Sequence, residues 1–129
     1  MEVPSIFLNR ILAYAAKRNG SNLHLAVGNL PMARIDDKLL AVEEESIITS
    51  ELISKIIDLL VSEEEKKKLN EDKEIVIVKE LAGEFRFRIN IFYQKNFPAI
   101  NFHFIPSAVK GLPDLRLPLI LNNLIKLNS

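Results

Sequence analysis

Cysteine is absent from this chain, and glycine and histidine are scarce, with four and two residues respectively. Without cysteine, disulfide bonds, thiol catalysis and zinc–thiolate sites are all excluded. The glycines form neither a GxGxxG nor a GxxxxGK(S/T) pattern, so the chain has no loop of the kind that cradles nucleotide phosphates. His24 and His103 fit no HxH or HExxH spacing, and we expect no metal site. Because no nucleophile or acid–base constellation is present either, we predict that the chain by itself is not an enzyme.

An excess of charge of one sign is also missing, because 17 lysines and arginines balance 17 acidic residues. This balance predicts no bulk attraction to nucleic acid or to an anionic membrane. No stretch approaches the roughly 18 apolar residues of a spanning helix, and the N-terminus lacks the apolar run of a signal peptide. The chain has 129 residues, 48% of them hydrophobic, which is enough for one domain with its own core. We therefore predict a single soluble cytoplasmic domain without direct membrane insertion or a nucleic-acid partner.

Helical periodicity and capping signals predict four helices. Apolar residues recur at helical spacing over 4–18, over 49–60 and, in a nearly apolar segment, over 116–127. Thr49 can cap the helix over 49–60. Ser62 and Glu65 have the spacing of a capping box and start a further short helix.

Alternation of apolar and polar residues predicts strands in between. The segments are NLHLAV, a hairpin of MARID and KLLAV joined at Asp36–Asp37, EIVIVKEL, EFRFRINIFYQ and PAINFHFIP. Lys95–Asn96 lies at the bend between the last two. The order helix, strands, helices, strands, helix predicts a single-domain α+β fold with an antiparallel sheet packed on helices.

The strand FRFRINIFYQ carries two arginines on one face, because residues two apart in a strand point to the same side. Arg86 and Arg88 have two interpretations. They could pair with Glu80 or Glu84 on an ordinary charged sheet face, or they could form a bidentate trap for an anion. The residues around them leave both interpretations open.

Four motifs in sequence order resemble the N-terminal domain of the secretion ATPase superfamily, most closely that of the PilT-type retraction ATPases of type IV pili. The family pattern SDLHL-x-x-G-x-P-P-x-x-R-x-D-G is matched by SNLHLAVGNLPMARIDD at 21–37. The family pattern RFRVN-x-F-x-Q is matched at 86–94. A strand ending in R-x-IPS is matched at 103–107, and the pattern L-G-L-P is matched at 115–118. The resemblance covers about residues 5–127.

This resemblance implies a PAS-like domain over 1–112 and, over 113–129, a helix that leads to a RecA-like ATPase domain. The expected partners are that ATPase domain and neighbouring subunits of a homo-oligomeric hexamer. No cofactor is expected in this chain, whereas ATP and Mg²⁺ are expected on the ATPase domain. The implied location is the cytoplasm, with the inner face of the membrane beside a pilus or secretion machine as an open alternative.

The resemblance also implies roles for individual residues. Arg88, with Arg86 beside it, would contact the phosphates of a nucleotide bound to the neighbouring subunit. The second family arginine is His103 here, and a neutral imidazole does not replace a fixed guanidinium at pH 7, so we expect a weakened contact. The other motif or interface residues are His24, Arg34, Asp36, Asn90 and Gln94.

Two functions remain open on the sequence. The first is a non-catalytic domain of a hexameric motor for pilus retraction and twitching motility, which supplies arginine to the nucleotide of its neighbour. The alternative is a stand-alone PAS-like adaptor or dimerisation module without a role in ATP turnover, using the apolar segment 117–127 as its contact.

Overall fold

The computed structural model describes residues 3–81 and 85–106. Three helices and six strands follow one another in this part of the chain. In order they are α1 (Pro4–Lys17), β1 (Gly20–Ala26), β2 (Met32–Ile35), β3 (Lys38–Ala41), α2 (Ser50–Leu60), α3 (Glu63–Asp72), β4 (Glu74–Leu81), β5 (Phe85–Gln94) and β6 (Phe97–Ile105). The predicted helix over 116–127, the LRLP motif at 115–118, Gly83, Ser107 and the domain boundary at residue 112 lie outside the described residues.

The six strands form one sheet in the order β3-β2-β1-β6-β5-β4, and each neighbouring pair is antiparallel. Neighbouring strands of the sheet are also consecutive in the sequence with one exception, the pairing of β1 with β6. The architecture confirms the predicted α+β fold and is consistent with a PAS-like domain.

Two of the helices begin at the caps that the sequence predicts. Thr49 accepts a hydrogen bond on its side-chain oxygen from the Leu52 N–H at 3.1 Å. Ser62 Oγ accepts from the Glu65 N–H at 3.1 Å, and Glu65 Oε1 accepts from the Ser62 N–H at 2.9 Å. These side chains satisfy N–H groups that have no partner within the first helical turn.

Two tight hairpins among the described residues turn through the left-handed backbone region. Asp36 and Asp37 have φ angles of 52° and 64°, and Lys95 and Asn96 have 52° and 71°. Positive φ at both central residues is the signature of a type I′ turn, whose twist matches that of the flanking strands. Both bends lie where the sequence predicts them.

The core lies between one face of the sheet and the helices. Ile11 and Leu12 of α1, Ile53 and Ile56 of α2, and Leu69 of α3 are buried in it. The buried strand residues of the same cluster are Leu23, Leu25, Ala33, Ile75, Ile77, Phe87, Ile89, Ile91, Ile100 and Phe102.

The strand residues that alternate with these core side chains point to the other side of the sheet, which we call the open face. Its polar and charged members include Asn22, His24, Arg34, Arg86, Arg88, Asn90, Asn101 and His103. The three described helices bury their apolar side chains on the opposite side. Most of the functional candidates of the sequence therefore share the surface that the core leaves uncovered.

Candidate functional site

Arg86 and Arg88 project from the open face of β5. Both are exposed, whereas Phe87 between them is fully buried. Glu80 lies opposite Arg86 in the β4–β5 register. Nevertheless, within residues 3–81 and 85–106 no ion pair shorter than 4.0 Å involves either arginine. The charged-pair interpretation therefore lacks an ion pair with Glu80. The other carboxylate proposed for it, Glu84, lies outside the described residues.

His103 lies directly opposite Arg88 in the register of β5 and β6. Side chains in such cross-strand positions have Cβ atoms about 5 Å apart. Burial and the Arg88 charge lower the pKa of His103, so the imidazole is neutral at neutral pH. The structure thus brings together the two residues that the family resemblance pairs, and it places a titratable group beside a permanent cation.

The same row of the open face continues across two further strands. Asn22 lies opposite His103 on β1, and Arg34 lies opposite Asn22 on β2. With strands about 4.8 Å apart, the backbone of Arg34 is about 14 Å from that of Arg88. Arg34 Nη1 donates to the Asp37 carbonyl oxygen at 3.4 Å. Arg34 is therefore engaged with the β2–β3 hairpin rather than with the Arg88–His103 pair.

A second polar row runs beside the first. Asn101 lies opposite Asn90, and its Oδ1 accepts from Asn22 Nδ2 at a long 3.5 Å. In the part of the chain that the structure describes, Asn90 Oδ1 is buried without a hydrogen-bond partner. A buried acceptor without a donor carries a desolvation cost of about 1–3 kcal/mol. Asn90 can recover that cost if a partner brings an N–H or O–H to the open face.

His24 completes the second row on β1. It is half-buried, and its ring lies 6.3 Å from the Phe92 ring, measured between centroids. Ala99, on the strand between them, is small enough to let the two rings approach across it. Burial lowers the pKa of His24. His24 therefore lies on the open face of the sheet, and the sequence did not show its contact with Phe92.

Gln94 and Asp36 lie apart from both rows. Gln94 is at the exposed end of β5, six residues beyond Arg88, which corresponds to about 20 Å along a strand. Asp36 is in the β2–β3 turn. Both residues therefore lie away from the Arg88–His103 pair.

Arg86, Arg88 and, when it is protonated, His103 present cationic N–H donors on the open face, which is the chemistry that an oxyanion requires. Guanidinium groups suit this task because they are always charged and present several N–H donors. Within residues 3–81 and 85–106, no three histidine or acidic side chains gather as metal ligands would. No helix among these residues has the length and apolar character needed to cross a membrane.

Acidification is expected to lower the thermal stability of the chain through its two histidines. Burial lowers the pKa of His24, and burial with the Arg88 charge lowers the pKa of His103. The unfolded chain protonates at the ordinary histidine pKa of about 6.5. The free energy of unfolding should therefore fall as the pH drops below that value, and level off below the folded-state pKa values.

This pH dependence can be measured as the Tm by circular dichroism at several pH values. The double variant His24→Gln/His103→Gln is the control, because carboxylates also titrate in acid. Its Tm should fall less than that of the unaltered chain. An equal fall in both proteins would show that the histidines are not responsible.

Comparisons with known proteins place this geometry in context. No family model matches the chain. The chain is 30% identical over 108 residues to the type IV pilus retractation ATPase PilT of Pseudomonas aeruginosa, a match covering 84% of this chain and 31% of that protein. The crystal structure of the pilus retraction motor PilT with bound ADP matches at a TM-score of 0.71 and 27% identity, covering 78% of this chain and 29% of that one.

The chain is also similar to the ATPase DotB of Legionella pneumophila. Its structure matches at a TM-score of 0.69 over 82% of this chain and 30% of DotB, and at 20% identity this shows a shared fold alone. The chain spans only 29% to 31% of the length of these ATPases.

Proposed function

We propose that the chain, which fits an N-terminal domain of a PilT-type ATPase, is a non-catalytic regulatory and assembly domain of a cytoplasmic, hexameric pilus-retraction motor. In this assembly it packs on the ATPase domain of the neighbouring subunit. Arg88, with Arg86 beside it, supplies positive charge to the γ-phosphate of the ATP bound there with Mg²⁺. The observation that carries the proposal is the pair of exposed arginines without a carboxylate partner in the described residues.

The position of Arg88 suits a contact made in trans. Phosphoryl transfer spreads negative charge over the γ-phosphate oxygens, and an arginine from another domain can stabilise that charge. Strand β5 is paired on both sides, by β4 and β6, and its alternate residues Phe87 and Ile89 are fully buried. The backbone under Arg88 is therefore held from three directions. A rigid strand lets a domain movement deliver the guanidinium as a unit.

The choice of pilus retraction over assembly or secretion rests on the likeness to PilT, because the DotB match supports the fold alone. Steady-state ATP turnover of the full-length motor, measured with and without the Arg88 side chain, tests the proposed role. The isolated chain should not hydrolyse ATP, and turnover at a motor-like rate would contradict the assignment.

The alternative function is a PAS-like adaptor or dimerisation module without a role in ATP turnover. One described feature favours it: the edge strand β4 exposes Val76 and Val78, whose accessible fractions are 52% and 50%. An unpaired strand edge with exposed β-branched side chains can pair with another strand. Light scattering of the isolated chain over a wide concentration range separates the two functions. A stable dimer would favour the alternative, and a strict monomer would weaken it.

A further inference from the structure

His103 is a titratable group in a row whose other charged members, Arg34 and Arg88, carry permanent charges. On β5 it faces Arg88 directly and Arg86 diagonally, and on β1 it faces Asn22 directly and His24 diagonally. Every charged neighbour on the two flanking strands is therefore a cation or another histidine. A neutral His103 avoids their repulsion as long as no anion is present.

Carboxylates do not relieve this repulsion in the described residues. The nearest acidic side chain in the register is Glu80, which lies opposite Arg86 on β4, two strands away from His103. Two strand spacings amount to about 10 Å, a distance comparable to the Debye length at 0.1 M salt. Beyond Asn22 on the other side, the next charged group is the cation Arg34. The site therefore favours an anion from outside the described residues.

We infer that oxyanion binding on the open face is proton-linked: a doubly charged tetrahedral oxyanion binds between Arg88 and His103, and its binding favours the protonated imidazole of His103. This inference rests on the proposed function, in which the oxyanion is the terminal phosphate of ATP. It adds a dependence of phosphate binding on pH. A second arginine at this position would bind the anion at any pH. With His103 at this position, one of the two groups that bind the anion is charged only when it is protonated.

The size of the effect follows from electrostatics and linkage. An opposite charge within about 4–6 Å of a titratable group favours its charged form by about one to three pKa units. At the lower end of that range, bound oxyanion raises the pKa of His103 by about one unit. By reciprocity, the anion then binds the protonated protein about tenfold more tightly than the neutral one. Affinity should increase as the pH falls through the pKa of His103 in the complex, and level off below its pKa in the free chain.

The test is an NMR titration of both histidine rings in the 129-residue chain. Sulfate is the probe, because it stays doubly charged throughout this pH range whereas phosphate itself titrates. Sodium chloride at equal ionic strength controls for screening. Sulfate should raise the pKa of His103 by about one unit and that of His24 by clearly less. Equal shifts at both histidines, or a shift no larger than chloride produces, would overturn the inference.

Two variants locate the anion. In Arg88→Gln the sulfate-induced rise at His103 should disappear, while the pKa of His103 without sulfate should increase because the neighbouring cation is gone. Lys67→Gln removes the same charge from exposed helix α3 and should leave the sulfate effect intact. A sulfate effect that survives in Arg88→Gln would place the anion elsewhere and refute the inferred site.

The outcome can be distinguished from a failure of the proposed function. If Arg88 matters for ATP turnover in the motor but sulfate does not shift His103, the trans contact stands and the proton linkage is wrong. If sulfate shifts His103 but turnover does not depend on Arg88, the proton-linked anion site stands and the motor role is wrong.

Discussion

Replacing Arg88 by alanine in the full-length motor is expected to lower ATP turnover by about 100-fold. Loss of one preorganised donor to a developing negative charge costs about 10²–10³ in kcat, and an arginine finger is worth still more. We expect the lower end, because the neighbouring Arg86 retains part of the positive charge. The side chain is exposed and has no ion pair in the described residues. The fold should therefore survive, and steady-state kcat with a parallel Tm measurement checks both points.

Three further variants sharpen this prediction. Arg88→Lys keeps the charge but loses the planar fork of donors, so turnover should be intermediate. His103→Arg supplies a fixed second guanidinium opposite Arg88 and should raise turnover severalfold at neutral pH. Lys67→Ala, on the surface of α3, is the matched control and should change little. If neither Arg88→Ala nor His103→Arg alters turnover, the contact in trans does not occur.

The local parts of the fold could be predicted from the sequence because their causes are local. Thr49 and Ser62 cap the helices that follow them, and two pairs of residues with positive φ close the hairpins at Asp36–Asp37 and Lys95–Asn96. Each of these features is decided by residues within four positions of one another. The alternation of apolar residues likewise identified the two faces of the strands.

The arrangement of the site required contacts that local patterns do not encode. Asn22 bonds to Asn101, 79 positions later, because β1 pairs with the last described strand, β6. That pairing aligns Arg34, Asn22, His103 and Arg88 in one row. Such strands are far apart in the sequence. The alternation of apolar residues within each strand does not show which strands become neighbours. The family resemblance paired Arg88 with His103, but only the register shows them directly opposite each other.

Charge pairing was the other point that the sequence left open. Glu80 is correctly placed opposite Arg86, yet no ion pair joins them in the described residues. Exposed ion pairs contribute little, because water already solvates both charges and the side chains lose freedom on pairing. Proximity in sequence or in register therefore does not decide whether such a pair forms. The same weakness leaves Arg86 and Arg88 available to an anion from outside.

Replacing Phe87 by alanine is expected to lower the free energy of unfolding by about 3–5 kcal/mol, the usual cost of removing a buried phenylalanine. The side chain is fully buried. Its ring packs edge-to-face against Phe102 and Phe104, with centroids 6.0 Å and 4.6 Å away. Because small domains are stable by only about 5–15 kcal/mol, this one change removes a large part of the total. Urea denaturation of the isolated chain measures it.

The adjacent position provides the matched comparison, because Phe87 and Arg88 share a strand and point to opposite faces. Arg88→Ala should cost less than about 0.5 kcal/mol, as exposed substitutions away from specific contacts usually do. Phe87→Leu, which keeps most of the apolar volume, should fall between the two alanine variants. If Arg88→Ala destabilised the chain as much as Phe87→Ala, lost turnover in the motor would reflect unfolding. A stable Arg88→Ala chain instead ties any loss of turnover to the missing guanidinium.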